Sequence, residues 1–144
     1  MTLHTASEGI SFARELETTS AECYEELARR FPDHAETFSS YAATNRKHVS
    51  NVQRAYYGVI TDAIEGCYAF NLEPEEYTLD LNLGGSDLAT AAATALRNEE
   101  TIVRYYTDAA EQSKGTMADV PRAFLLVARK RGEGVEQLKE LAAR

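Results

Sequence analysis

Two glutamates in this chain stand in matching surroundings. Glu17 has Ala13 four residues before it and Tyr24 seven after; Glu99 has Ala95 four before and Tyr106 seven after. Extending the match brings Ala28 onto Ala110, which reads as an internal repeat. A seven-residue step is two helical turns, so each glutamate and its tyrosine share one helix face. Asn45-Arg46-Lys47-His48 aligns in the same way with Ala128-Arg129-Lys130-Arg131. If these faces meet, Glu17, Asn45, His48, Glu99 and Arg131 lie at similar depth. Two carboxylates placed there must bridge a hard cation, take up protons or pair with a base, because an uncompensated buried charge costs several kcal/mol.

The elements that must position these residues are helices. Thr5 and Glu8 have the spacing of a capping box, and the first helix runs from there to a stop at Arg29, Arg30, Phe31 and Pro32. Asp33 and Glu36 repeat the signature, and a second helix continues at least to Tyr57. Residues 66–85 read as a long connection holding Pro74, the acids Glu73, Glu75 and Glu76, and a Leu79, Leu81, Leu83 alternation. Ser86 is the expected N-cap of a third helix that ends near Gln112. Asp119, with Pro121 just inside, starts a fourth that continues to the C-terminus, with Gly132 and Gly134 as weak points admitting a close approach.

Stripes spaced alternately three and four residues apart give Ile10, Ala13, Glu17, Ser20, Tyr24, Leu27, Phe31 on the first helix and Phe38, Tyr41, Asn45, His48, Val52, Ala55 on the second. On the third they give Leu88, Ala92, Ala95, Glu99, Ile102, Tyr106, Ala109, and on the fourth Phe124, Ala128, Arg131, Val135, Leu138, Ala142. The expected fold is all-α, a single domain over 1–144: an antiparallel four-helix bundle with one long crossover between the second and third helices. Tyr24, Tyr41 and Tyr106 are expected to pack in the core with their hydroxyls aimed at the polar layer.

At this point the chain resembles the ferritin-like superfamily, and within it the small rubrerythrin-type bundles. The wording that carries the resemblance is Phe12-Ala13-Arg14-Glu15-Leu16-Glu17 followed by Tyr24-Glu25-Glu26-Leu27-Ala28. It implies two iron or manganese ions held by one Glu from each of two helices and an ExxH pair from each of the other two. This chain departs from that pattern. Glu17, Glu99 and His48 stand at ligand positions, but the first ExxH is Asn45 to His48, the second is Ala128 to Arg131, and no ExxH occurs anywhere.

Arg131 offers a fixed positive charge and a fork of donors suited to carboxylates, and it would repel a divalent ion beside it. The expectation is therefore a non-catalytic binding or structural protein with no cofactor, its metal replaced by a buried network of Glu17, Asn45, His48, Glu99, Arg131, Tyr24 and Tyr106. The alternative is a redox protein acting on peroxide or oxygen through one iron or manganese ion on Glu17, His48 and Glu99, with Asn45 as a weak fourth ligand.

Composition narrows the partners. With 23 Asp and Glu against 15 Lys and Arg, the chain carries a formal net charge of −8, which disfavours phosphate backbones and anionic membranes. Its 144 residues suit one core. Cys23 and Cys67 are too few for a disulfide framework or a rubredoxin-type iron centre and are expected as reduced interior thiols. There is no GxGxxG, GKS or GKT, GxSxG or CxxC. Glu8, Arg14, Glu15 and Glu17 interrupt the first twenty residues, and no apolar run is long enough to span a bilayer, so a cytoplasmic protein is expected. Exposed apolar positions of the helices or the crossover are expected to make it a homo-oligomer, a dimer.

Overall fold

The computed structural model describes residues 2–57, 68–82, 87–113 and 119–143. Its elements are β1 (Leu3–Thr5), α1 (Ala6–Arg30), α2 (Ala35–Tyr57), β2 (Tyr68–Leu72), α3 (Leu88–Ser113), α4 (Asp119–Glu133) and α5 (Glu136–Ala142), with 3-10 turns at Pro32–His34 and Pro74–Tyr77. The protein is all-α apart from one two-stranded ribbon. No described helix is long and apolar enough to cross a membrane.

Local chemistry explains most boundaries. Thr5 Oγ1 accepts from the Glu8 amide at 3.1 Å while Glu8 Oε1 accepts from the Thr5 amide at 3.0 Å, so the capping box forms as expected. Asp33 falls inside the 3-10 turn, whose start has no side-chain cap, and α2 begins two residues later. Asp87, rather than Ser86, caps α3: its Oδ1 accepts from the Ala89 amide at 3.0 Å and its Oδ2 from the Thr90 hydroxyl at 2.9 Å. Ser86 itself, Gly66, Cys67, Leu83, Gly84, Gly85 and Gly115 lie outside the described residues.

The fourth helix is not continuous. It breaks after Glu133, where the Gly134 amide is shared between the carbonyls of Lys130 and Arg131 at 3.1 Å each, and Tyr41 donates its hydroxyl to the Gly134 carbonyl. Two glycines within three residues weaken propagation, and the tyrosine satisfies a carbonyl that the break would leave open. The expected close approach does not occur at Gly132, where an added Cβ would meet nothing within 4 Å.

Cross-helix pairs fix the directions. Phe31 meets Phe38, Tyr24 meets Tyr41 and Asn45 meets Ser20, so α1 and α2 run antiparallel. Tyr24 reaches Glu99 while Tyr106 reaches Glu17, so α1 and α3 are also antiparallel. Arg131 on Asn45 and Gly134 on Tyr41 give the same relation between α2 and α4. Two helices each antiparallel to α1 are parallel to one another, so the long connection joins α2 and α3 lying in the same direction.

That connection is built, not merely solvated. β2 pairs antiparallel with β1 in the register Leu3 to Leu72 and Thr5 to Tyr68, with an irregularity between them. Phe70 turns its ring onto Gly9, where an added Cβ would meet Phe70 Cε2 at 2.6 Å, so glycine is what lets the ribbon lie against α1. The segment is then pinned to α3. Tyr77 donates to Asp108 at 2.6 Å, and Asn98 exchanges hydrogen bonds of 2.9 and 3.0 Å with the Asp80 backbone. Of the leucine alternation, Leu79 is buried and Leu81 is 64 % exposed.

The core is in two parts. One joins Ile10, Ala13, Val52, Phe70, Ile102, Tyr105, Phe124 and Val127, and the other joins Tyr24, Leu27, Phe38, Ala92, Ala95, Leu138 and Leu141. Within the expected stripes, Phe31, Tyr41, Leu88 and Ala142 are only partly buried, and the Ala55 side chain lies outside what is described.

Candidate functional site

Charged and amide side chains lie at the level where the two apolar clusters meet. Glu17 is 1 % exposed, Asn45 2 %, His48 3 %, Glu99 3 % and Arg131 4 %, so the phase of the stripes holds on all four long helices. Arg131 is the hub. Its Nε donates to Glu17 Oε2 at 3.2 Å and its Nη2 to Glu17 Oε1, a bidentate fork, while Nη1 donates to Glu99 Oε2 at 2.5 Å. Nη2 also donates to Asn45 Oδ1 at 2.9 Å, and Asn45 Nδ2 in turn donates to Ser20 Oγ at 2.8 Å. This pattern fixes the orientation of the Asn45 amide.

The tyrosines complete the carboxylates crosswise. Tyr24 on α1 donates to Glu99 Oε1 on α3 at 2.6 Å, and Tyr106 on α3 donates to Glu17 Oε2 on α1 at 2.7 Å. Each glutamate is thus bonded by the tyrosine of the other half of the repeat. The Tyr24 ring stacks on Tyr41 with centroids 4.9 Å apart, which sets the direction of its hydroxyl. Tyr41 turns its own hydroxyl away from the layer, to Gly134.

The electrostatics follow from burial and charge. Burial alone would raise the Glu17 pKa, but the Arg131 guanidinium, its hydrogen bonds and the nearby His48 outweigh burial and hold the carboxyl below its usual value of 4.5. Burial would lower the Arg131 pKa, and the Glu99 and Glu17 carboxylates reverse that. Tyr24 and Tyr106 are pushed well above the ordinary phenol value, first by burial and then by the carboxylates they bond. Their protons therefore stay on the tyrosines, as donors to the glutamates.

His48 is the exception. It shares the layer, yet both ring nitrogens are buried without a hydrogen-bond partner. Its Nδ1 lies 3.7 Å from Glu17 Oε2, an electrostatic neighbour beyond hydrogen-bond reach.

The residues present do not fit the two divalent ions that the family resemblance implies. The guanidinium bonds both carboxylates from one central position, so a cation there would meet a fixed positive charge and lose the oxygens it needs. Among the described residues, no group of three or more His, Cys, Asp and Glu side chains is arranged to hold a metal ion. Cys23 is half-buried and away from the layer, its thiol pKa raised by burial and by Glu22 and Asp80.

Sequence reasoning brings together all seven residues of the network. It does not assign Ser20 its role, because a serine in a helical stripe reads as a small core residue until its partner Asn45 is seen. It also misses Asn98, next to Glu99, which faces the crossover; its signal, a polar residue one step off the stripe, does not differ from that of an exposed position.

Comparison of the chain with family models, curated proteins and solved structures finds no match.

Proposed function

We propose that this chain is a ferritin-like four-helix bundle of rubrerythrin type whose di-metal site has been replaced by a buried ion-pair layer, and that it acts as a non-catalytic binding or structural module. One observation carries the reading: the Arg131 guanidinium bonds both Glu17 and Glu99, the two carboxylates that the resemblance assigns to metal. The crosswise Tyr24 and Tyr106 bonds add to it, since they saturate the carboxylate oxygens from the side opposite the arginine. A bundle of this kind keeps the packing of the family and loses the open coordination positions that oxygen or peroxide chemistry requires.

The unpartnered His48, beside Glu17, favours the second reading, a single iron or manganese ion on Glu17, Glu99 and His48. Metal analysis separates the two. Protein expressed with manganese and iron in the medium is expected to contain well under one ion per chain, and Arg131→His is expected to raise that content. One well-occupied ion per wild-type chain, lost on His48→Ala, would overturn the metal-free reading.

A further inference from the structure

Between α3 and the α4–α5 break lies a groove of about 380 Å3, inside the size range of small-molecule sites. Leu96, Val103 and Val135 supply its apolar walls, Glu99 contributes to its lining and Glu100 adds an exposed carboxylate. Gly132 stands on its edge with open space where a Cβ would be. Glycine inside a helix lowers stability, and here no close contact demands it. What its absent side chain does leave is room in the groove.

The groove touches the polar layer at Glu99, and the layer's charge says what would suit it. Two carboxylates, Glu17 and Glu99, share the single guanidinium of Arg131, leaving one formal negative charge in excess in the bundle interior. Glu99 accepts one hydrogen bond on each oxygen, and each oxygen has a second lone pair. The basic side chains at the groove are engaged elsewhere. Arg104 donates to the Glu76 carbonyl at 2.6 Å and lies over the Tyr77 ring, and Lys139 pairs with Glu136 at 3.4 Å. Asp108 is taken by Tyr77, which leaves Glu100 as the rim carboxylate with no ion pair among the described residues.

From this geometry we infer that the groove is a binding site for a small amphiphilic amine, its ammonium between Glu99 and Glu100 and its apolar body along Leu96, Val103 and Val135. The proposal deepens the reading of the bundle as a binding module and rests on it.

The probe is n-octylamine, with n-octanoate and n-octanol as anionic and neutral controls of the same chain length. Titrations of the full chain are followed by calorimetry and by the methyl NMR signals of Leu96, Val103 and Val135. The expected result is saturable 1:1 binding of the amine at least tenfold tighter than either control, with shifts confined to those methyls. Gly132→Leu, which fills the groove from its open side, should weaken binding at least tenfold, and Glu100→Gln severalfold. Gly132→Ala, which adds only a methyl, serves as the folding control and should match wild type in far-UV circular dichroism.

Equal binding of octanol or octanoate, shifts elsewhere in the bundle, undiminished binding by Gly132→Leu, or no saturation at millimolar amine would each overturn the proposal. Metal content of the same preparation keeps the two readings apart. A full metal site would sink the ion-pair reading whatever the amine does, and absence of amine binding sinks the groove alone.

Discussion

Replacing Arg131 by methionine removes the one cation bonded to the buried acids while keeping a flexible side chain of similar length. Breaking a buried ion pair by deleting one partner costs about 3–5 kcal/mol. A second route gives a comparable figure. Without the guanidinium a buried carboxyl is relieved by taking up a proton, and for a group with an ordinary value of 4.5 this costs about 3.4 kcal/mol at pH 7, from about 1.36 kcal/mol per pH unit. If Glu17 and Glu99 share one proton the loss is about 3 kcal/mol; if both must be protonated it approaches about 7. The range is a large part of the roughly 5–15 kcal/mol by which a domain is stable, and corresponds to a fall of about 10–20 °C in Tm.

Urea unfolding followed by far-UV circular dichroism, at pH 7 and pH 5, tests the figure. In the variant the native state binds more protons than the unfolded state, so its stability must rise as the pH falls from 7 to 5, by about 1.4 kcal/mol per unit for each proton taken up. Should Arg131→Met be too unstable at pH 7, the pH 5 measurement still reads the slope. The triple variant Glu17→Gln, Glu99→Gln, Arg131→Met has no charge to compensate and is expected within about 2 kcal/mol of wild type, since neutral replacements of buried ion pairs are often tolerated. An Arg131→Met protein within about 1 kcal/mol of wild type at pH 7, or one whose stability does not rise toward pH 5, would refute the reasoning that the guanidinium is what makes the two acids tolerable.

Wild type should show the opposite slope. The Glu17 pKa is lowered on folding, so its contribution is present in full above the ordinary carboxylate range and is lost as the pH falls through the still lower native value. Glu17→Gln should flatten the stability profile below about pH 4.5, and an unchanged acid limb in a urea series would count against the assignment. His48→Leu removes two buried nitrogens that have no hydrogen bond, and since an unsatisfied buried group costs about 1–3 kcal/mol, the variant should be as stable as wild type or up to about 1 kcal/mol more so at pH 8. A loss above about 2 kcal/mol would mean that His48 is bonded in solution.

The network was legible because the bundle stripe repeats on a fixed period. Once Glu17 and Glu99 fall on the same stripe as Leu27 and Ile102, their burial follows from helix geometry alone. What happens at the crossover was not legible. Leu3-His4-Thr5 is too short for a strand signal, and its pairing with Tyr68–Leu72 depends on a contact some 65 residues away along the chain. Its companion feature, Gly9 under Phe70, is a close approach that a lone glycine near a helix start does not announce. The α4–α5 break lies between the two outcomes. Gly132 and Gly134 announce a weak point, but that it becomes a true break depends on Tyr41 reaching the Gly134 carbonyl from another helix.

The internal repeat is symmetric in its acids and asymmetric in its bases, and the asymmetry accounts for the state of the layer. Glu17 with Tyr106 and Glu99 with Tyr24 are one arrangement made twice. His48 and Arg131 occupy matching places on α2 and α4, yet a guanidinium on a long stem spans the distance to both carboxylates and to Asn45, while an imidazole does not. Once Arg131 has taken these acceptors, His48 has no partner left within 3.5 Å, and its vacant nitrogens are a consequence of the arginine rather than a separate feature. A divalent ion could reach Glu17 and Glu99 only by displacing four guanidinium hydrogen bonds and leaving that cation buried beside it. Metal binding and the ion-pair layer are therefore mutually exclusive uses of the same two acids. Any variant that gains metal should lose the Arg131 contacts in the same step.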